Sequence, residues 1–528
     1  MMKEADPMKH VLTRLAALTL LVCLLCASAV AEVTYPIQTD DHDLTFWLPI
    51  QPIASKYMSS YNDHRIYSLI SENTGMNVEF QNVAPNDAAT QLGLLITDGD
   101  LPDLMQIRAF YTGGAATGVS EGIFVDLTPY LEEYAPDYLA ALQSNDLCYR
   151  LATDENGHVM AFYNLQVTVP HLRMNCLQEH LDQYGFDIPT TLEDYEAIFA
   201  RVHEDGMSGL YIPANGRVAN LMWPYGIDDG WSLDEDGNVA FGMYTQAYKD
   251  YLTMMNRWYE AGYIYPDFMM TITDSERYAL LSNKIVFMYT DPIDLINSAC
   301  NAVGVNSVPL PYVRLYDGQE LHFEGSFYNA ENPYYIPSAG FADTVITTSC
   351  KNIEEAVSYM NYYYTEEGRN LCNWGIEGET YVVDENGDKH FTDAMLNNPD
   401  IPLADVQMNL KIHMTAKWSE ADTVCNPNVV YDEAALEKRL RYTDDPTVDS
   451  TQVLPAFSLS AEASEARSNL MTDINTYVDE MTLKFITGVT SLDEFDAYLA
   501  QLQRMGIEDA IAITQAQYEA FMNKPGLE

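Results

Sequence analysis

Positive charge is what this chain has least of. Its 528 residues hold 27 lysines and arginines against 78 aspartates and glutamates, a formal net charge of −51. Nucleic acids and anionic lipid surfaces are polyanions that need a basic footprint, so both are disfavoured as direct partners. What such a charge does supply is solubility and self-repulsion in an extracellular space. Cysteine is sparse as well. Cys23 and Cys26 lie in an apolar leader, while Cys148, Cys176, Cys300, Cys350, Cys372 and Cys425 are widely spaced with no C-x-x-C pair. That spacing argues against zinc and leaves room for a disulfide or two without assigning any, in a chain long enough to fold without staples. After the leader, no apolar run reaches the roughly 20 residues that a bilayer core requires, so the mature chain reads as soluble.

Catalytic signatures are missing too. No G-x-S-x-G elbow, H-E-x-x-H helix, P-loop or strand-linked G-x-G-x-x-G occurs, and His203-Glu204 is followed by Met207 where a zinc helix needs its second histidine. Acidic residues are so numerous that a pair of carboxylates for hydrolysis carries no signal of its own. Three Asp-rich turns, Asp154-Glu155-Asn156-Gly157, Asp234-Glu235-Asp236-Gly237 and Asp384-Glu385-Asn386-Gly387, put glycine fourth rather than sixth. They therefore read as hairpin turns and not as calcium loops of the EF-hand kind.

What is present begins with the leader, residues 8–31. Lys9 and Arg14 give it a basic start, residues 15–26 are nearly all apolar, and Ala29-Val30-Ala31 is a small-x-small site, so residues 1–31 read as a signal peptide and the mature chain begins at Glu32. The apolar run is too short for a membrane span, and Val22 and Leu25 stand where a lipoprotein signal wants a small residue before its cysteine. The expected location is secreted or cell-surface without a lipid anchor. Farther on, residues 44–48, 77–80 and 104–107 read as strands alternating with helical stretches, including 87–97 with Ala88, Leu92, Leu95 and Ile96 on one side. This pattern suggests an α/β fold with a helix-covered, parallel sheet. Thr191 with Asp194, and Ser491 with Glu494, read as capping boxes ahead of amphipathic helices, and a third stripe follows Asn352. Aromatics are abundant, with 37 tyrosines and 6 tryptophans, several beside Gly or Pro. Such rings stack on the C–H faces of sugars while neighbouring Asp, Asn and Glu bond the hydroxyls, although many of them serve only as core.

Several ordered motifs carry a family likeness. Gly99-Asp100-Leu101-Pro102-Asp103-Leu104, then Gly122-Ile123-Phe124-Val125-Asp126-Leu127-Thr128-Pro129-Tyr130 and Tyr134-Ala135-Pro136, resemble the N-terminal half of extracellular solute-binding proteins of ABC importers. Asp187-Ile188-Pro189-Thr190-Thr191-Leu192-Glu193-Asp194-Tyr195, Trp258-Tyr259-Glu260-Ala261-Gly262-Tyr263-Ile264 and Trp374-Gly375-Ile376-Glu377-Gly378-Glu379-Thr380-Tyr381 resemble the LplA-like, family 1 sugar-binding subgroup. The resemblance implies a type II periplasmic-binding-protein-like α/β fold of two lobes joined by a multi-crossing hinge. Residues 42–164 with 306–366 would form lobe 1, and 165–305 with 367–528 would form lobe 2. Crossings are expected near 162–169, between 305 and 335, and after Gly368. It further implies a monomeric, non-enzymatic receptor that holds a sugar or oligosaccharide between the lobes and delivers it to ABC permease subunits, with no cofactor. Some relatives carry a calcium loop after the D-x-P-x-T helix, but Glu204-Asp205-Gly206-Met207-Ser208-Gly209 has too few oxygen ligands, and no metal is expected there. Trp47, Tyr163, Trp223, Tyr225, Trp231, Tyr328 and Trp374 are the candidates for stacking, and Asn164, Asp291 and Glu377 for hydroxyl or charge recognition. A peptide receptor and a secreted carbohydrate-active enzyme are the alternatives.

Overall fold

Two mixed sheets organise the chain, each with helices packed on it. The computed structural model describes residues 33–527 except 108–109, 112–113, 168–171, 271, 293–295, 297–298, 301–302, 325–335, 338–342, 413–414, 432, 444 and 458. The leader over residues 1–31 and Tyr328 lie outside the described residues.

In the first sheet, Asp43–Trp47 pairs in parallel with Asn77–Gln81 on one side and Leu104–Gln106 on the other. Thr344–Ile346 then returns from far along the chain and pairs antiparallel with Leu104–Gln106. Side chains alternate across these strands, so Leu44, Phe46, Leu104 and Ile346 enter one apolar cluster while Trp47, Met105 and Val345 enter another on the opposite face. The expected parallel sheet is therefore mixed at one edge. In the second sheet, Leu172–Leu177 lies between Ser307–Pro309 and Val286–Pro292, antiparallel to both, and Ser208–Leu210 joins the far side in parallel.

The helices follow the sequence pattern closely. Leu192–Glu204 opens with a complete capping box from Thr191 and Asp194 and buries Leu192, Tyr195, Ile198, Phe199 and Val202. Pro85–Asp98 ends at Gly99, whose φ of 73° suits glycine, and turns Ala88 and Leu92 inward. Near residue 491 the expectation changes. Ser491 accepts the amide of Asp493 and caps a short 3₁₀ turn, Leu492–Glu494, before the helix Phe495–Arg504 begins, so no capping box forms with Glu494. All three Asp-rich turns reverse the chain between antiparallel partners. Asp154, Asp234 and Asp384 each accept two backbone amides through Oδ1, and Gly157, Gly237 and Gly387 adopt φ between 80° and 92°.

Packing divides the chain at points that differ from the expected boundaries. One apolar core draws on residues from Met174 to Val313 and again from Met471 to Ala510, and the other on residues from Ile37 to Leu165 and from Ile346 to Ala416. Residues 307–309 thus belong to the second unit, because they bond to Asn175, Cys176 and Leu177. Cys372, Ile412 and Ala416 belong to the first. Both corrections arise from pairings between residues remote in sequence, which local periodicity does not report. The six cysteines from Cys148 to Cys425 are buried thiols, and no disulfide joins them. Among the described residues no helix is long and apolar enough to cross a membrane.

Candidate functional site

Three passes of the chain meet side by side where the two units join. Leu165–Gln166 pairs antiparallel with Ile336–Pro337. On its other side the Leu165 amide donates to Lys417 O at 2.9 Å and the Ser419 amide to Leu165 O at 2.8 Å. The first pass, Leu165–Gln166, lies inside the range 162–169, of which 168–169 are outside the described residues. The return pass pairs just beyond the expected limit of 335, and the last one, expected after Gly368, comes some fifty residues later. These passes continue from the edge where the parallel strands of the first sheet end, the end of an open α/β sheet at which ligands bind.

Amide and aromatic side chains crowd this junction. Asn164 is 2 % exposed, accepts the Ser419 hydroxyl at 2.7 Å and donates to Gln166 Oε1 at 3.1 Å. Tyr163 lies against both clusters of the first unit, its carbonyl accepting the Tyr364 hydroxyl at 2.6 Å, and burial raises its phenol well above the ordinary range. Asn373 ties the last pass to the helix Glu366–Trp374, donating to the carbonyls of Trp418 and Arg369 and accepting Lys417 Nζ at 2.6 Å. The Arg369 guanidinium lies 4.0 Å above the Trp418 ring.

On the second unit charged and aromatic groups stack around Arg173. Arg173 Nη1 is 3.2 Å from Glu324, and its guanidinium lies 3.6 Å over the Tyr312 ring. Burial pulls this guanidinium down to about 10, with Glu324 opposing. Tyr312 in turn packs on Trp223 at 4.9 Å, and the Trp223 indole N–H donates to Asp228 at 2.8 Å. Burial raises the Asp228 carboxyl above its usual range, against the pull of that N–H. Trp223 and Tyr225 line an open groove of about 520 Å³ with Tyr316, Gln319 and His322.

The sequence candidates are distributed unevenly over this arrangement. Tyr163 and Asn164 stand at the junction, and Trp223 and Tyr225 in the groove beside Tyr312. Trp231 packs on Phe241 with Arg467 over its ring. Trp47 and Trp374 are both 2 % exposed and serve as core in this conformation, Trp47 in the cluster of Met105 and Val345, Trp374 between Tyr381 and Phe391. Glu377 is exposed and lines a separate groove with Asn73, Glu366 and Glu367. Asp291 stands opposite Arg173 in the sheet register, its side chain outside the description, as Tyr328 is. Sequence reasoning passed over Trp418, which has no Gly or Pro neighbour to mark it as a loop aromatic, and over Arg369 and Arg173, because the search was for rings, amides and carboxylates and not for guanidinium groups. Among the described residues no group of three or more His, Cys, Asp or Glu could hold a metal ion.

Residues 66–373 match the family of bacterial extracellular solute-binding proteins. The fructooligosaccharide ABC transporter substrate-binding protein FusA of Streptococcus pneumoniae serotype 4 is 21% identical over 527 residues, spanning 93% of this chain and 92% of that protein. The polygalacturonan/rhamnogalacturonan-binding protein YtcQ of Bacillus subtilis is 20% identical over 462 residues, 82% of each chain. In structure, an HMO-binding, ABC-transporter-associated solute-binding protein from Bifidobacterium longum infantis superposes with a TM-score of 0.70 at 16% identity, over 92% of this chain and 99% of that one. At such identity the superposition speaks for the fold, which is the type II periplasmic-binding-protein arrangement of two α/β units. The family match over more than half of the sequence establishes that the chain belongs to the bacterial extracellular solute-binding proteins.

Proposed function

We propose that this protein is an extracellular receptor that takes an oligosaccharide between its two α/β units and passes it, chemically unchanged, to the permease of an ABC importer. The observation that carries the reading is the junction itself. Three adjacent crossings permit one unit to rotate on the other, and they are bordered by Tyr163, Asn164, Arg369 and Trp418, the mixture of flat rings and amides that sugars require. The carbohydrate-binding names of FusA and YtcQ support the ligand class. Closure is a population shift: a sugar touching both units stabilises the closed form by the contacts that exist only there. Trp223 and Tyr225 are the stacking faces on the second unit. Export by a leader cleaved after Ala31, without a lipid anchor, and action as a monomer without turnover complete the reading.

The test is calorimetry on residues 32–528 with kestose and with larger neutral oligosaccharides, followed by chromatography of the recovered sugar. Stoichiometric binding with the sugar recovered intact is expected. Binding of peptides instead of sugars, or recovery of sugar fragments, overturns the proposal in favour of a peptide receptor or an enzyme respectively.

A further inference from the structure

The helix Ile507–Met522 is rooted in the second unit, where Ile507 and Ala510 are fully buried. A few residues later the same chain is bonded to the first unit, on the helix Asp146–Ala152, whose Cys148 and Ala152 lie in the first core. Arg150 makes the principal attachment: its Nη1 donates to the carbonyls of Met522 and Lys524, both at 2.7 Å, while its Nε is held by Asp146 at 2.6 Å. The other Asp146 oxygen accepts the amide of Leu527 at 2.9 Å. Lys524 answers in the opposite direction, its ammonium donating to the carbonyls of Thr153 at 2.5 Å and Arg150 at 3.3 Å. Gly526 fits because it lacks a side chain. A Cβ there would stand 2.4 Å from Asp146 Oδ1 and 2.5 Å from Arg150 Nη2.

We propose that residues 523–527 form a strap, a fourth and non-covalent link between the two units that restrains their rotation about the three covalent crossings. The helix it grips, Asp146–Ala152, packs against the strand Ile336–Pro337 of the return crossing, so the strap stiffens the hinge from behind. Charge-assisted bonds of this kind are stronger than neutral ones, yet they lie at a partly exposed surface where they can release without unfolding either core. The strap therefore sets how much of the unliganded population is open, and through that fraction the apparent affinity. Only this last consequence rests on the receptor reading. The restraint itself does not.

The test uses spin labels at Glu132→Cys on the first unit and Glu193→Cys on the second, both exposed positions, in a chain whose described native thiols are all buried. Inter-unit distances are measured without ligand in the otherwise unaltered chain, in Arg150→Ala, which removes the principal attachment, and in Gly526→Val, which crowds the ends of the Asp146 and Arg150 side chains, with Arg150→Lys as the conservative control. Hydrogen exchange over residues 523–527 and 146–152 reports whether the strap has let go, with about tenfold faster exchange expected for loss of one charge-assisted bond. The expected result is a broadened or shifted distance distribution in Gly526→Val and Arg150→Ala, less change in Arg150→Lys, and kestose affinity altered in the same order. An unchanged distribution in Arg150→Ala despite faster exchange overturns the proposal, and so does unchanged exchange in Arg150→Ala. Failure of the unaltered chain to bind kestose bears on the receptor reading alone, since the distance measurement needs no sugar.

Discussion

His64 is 2 % exposed beside Tyr61 and Tyr67, and its Nδ1 accepts the amide of Ile66 at the head of the helix Arg65–Thr74. That capping role requires a neutral ring. Burial holds the ring down to about 4, and His180, buried beside Phe287, is pulled to about 4 by burial with Lys284 adding to it. A histidine with a depressed folded value loses stability as pH falls from 6.5, where the unfolded chain begins to take up protons, toward the folded value, below which nothing further is lost. Each ring accounts for up to about 3 kcal/mol over that window. Thermal unfolding should therefore begin at progressively lower temperature between pH 6.5 and 4. The pair His64→Asn, which keeps a helix cap, and His180→Gln should flatten that slope, and an unaltered slope would remove both rings from the account. The buried cysteines are held inert by the same cause: desolvation pushes the thiols of Cys148, Cys350 and Cys372 up to about 12.

Individual elements were the most legible part of the chain. The stripe behind Thr191 forms the helix Leu192–Glu204 with its capping box, and replacing Thr191 by alanine should cost about 1 kcal/mol, read as a lowered denaturant midpoint with unchanged slope. The Asp-x-Asp/Asn-Gly turns were equally plain, since the aspartate and the glycine each do something no other residue does as well at that position. Legibility ended where partners are remote. Ser307–Pro309 pairs with Leu172–Leu177 more than a hundred residues away, and the last crossing at Lys417 and Ser419 bonds to Leu165. No local period announces such contacts, which is why the unit boundaries had to move. The site suffers the same limit. Trp47 and Trp374 read as binding aromatics because composition does not distinguish a ring facing a ligand from one facing Met105 or Phe391, whereas Trp418 goes unnoticed until Arg369 is found over it. A change at the junction tests that placement. Asn164→Ala strips partners from Ser419 and Gln166 and should cost about 1 to 2 kcal/mol of stability and weaken sugar binding, both measurable on the same preparation.

At the scale of the whole molecule the net charge of −51 bears on the ligand's own charge. Buried cations are already engaged, Arg173 with Glu324 and Arg314 with Asp445, and so is the half-buried Arg217 with Asp229. A neutral oligosaccharide should therefore bind with little dependence on salt, while oligomers of galacturonate should bind more weakly, most of all at low ionic strength where the repulsion is least screened. In the proposed function, hinge and strap bear on one event, the closing of one unit on the other around a sugar. Small-angle scattering of residues 32–528, with and without saturating kestose, tests it most directly. A smaller radius of gyration in the presence of sugar, reversed on its removal, is the result expected. An identical radius at a sugar concentration where calorimetry has established saturation would contradict the account.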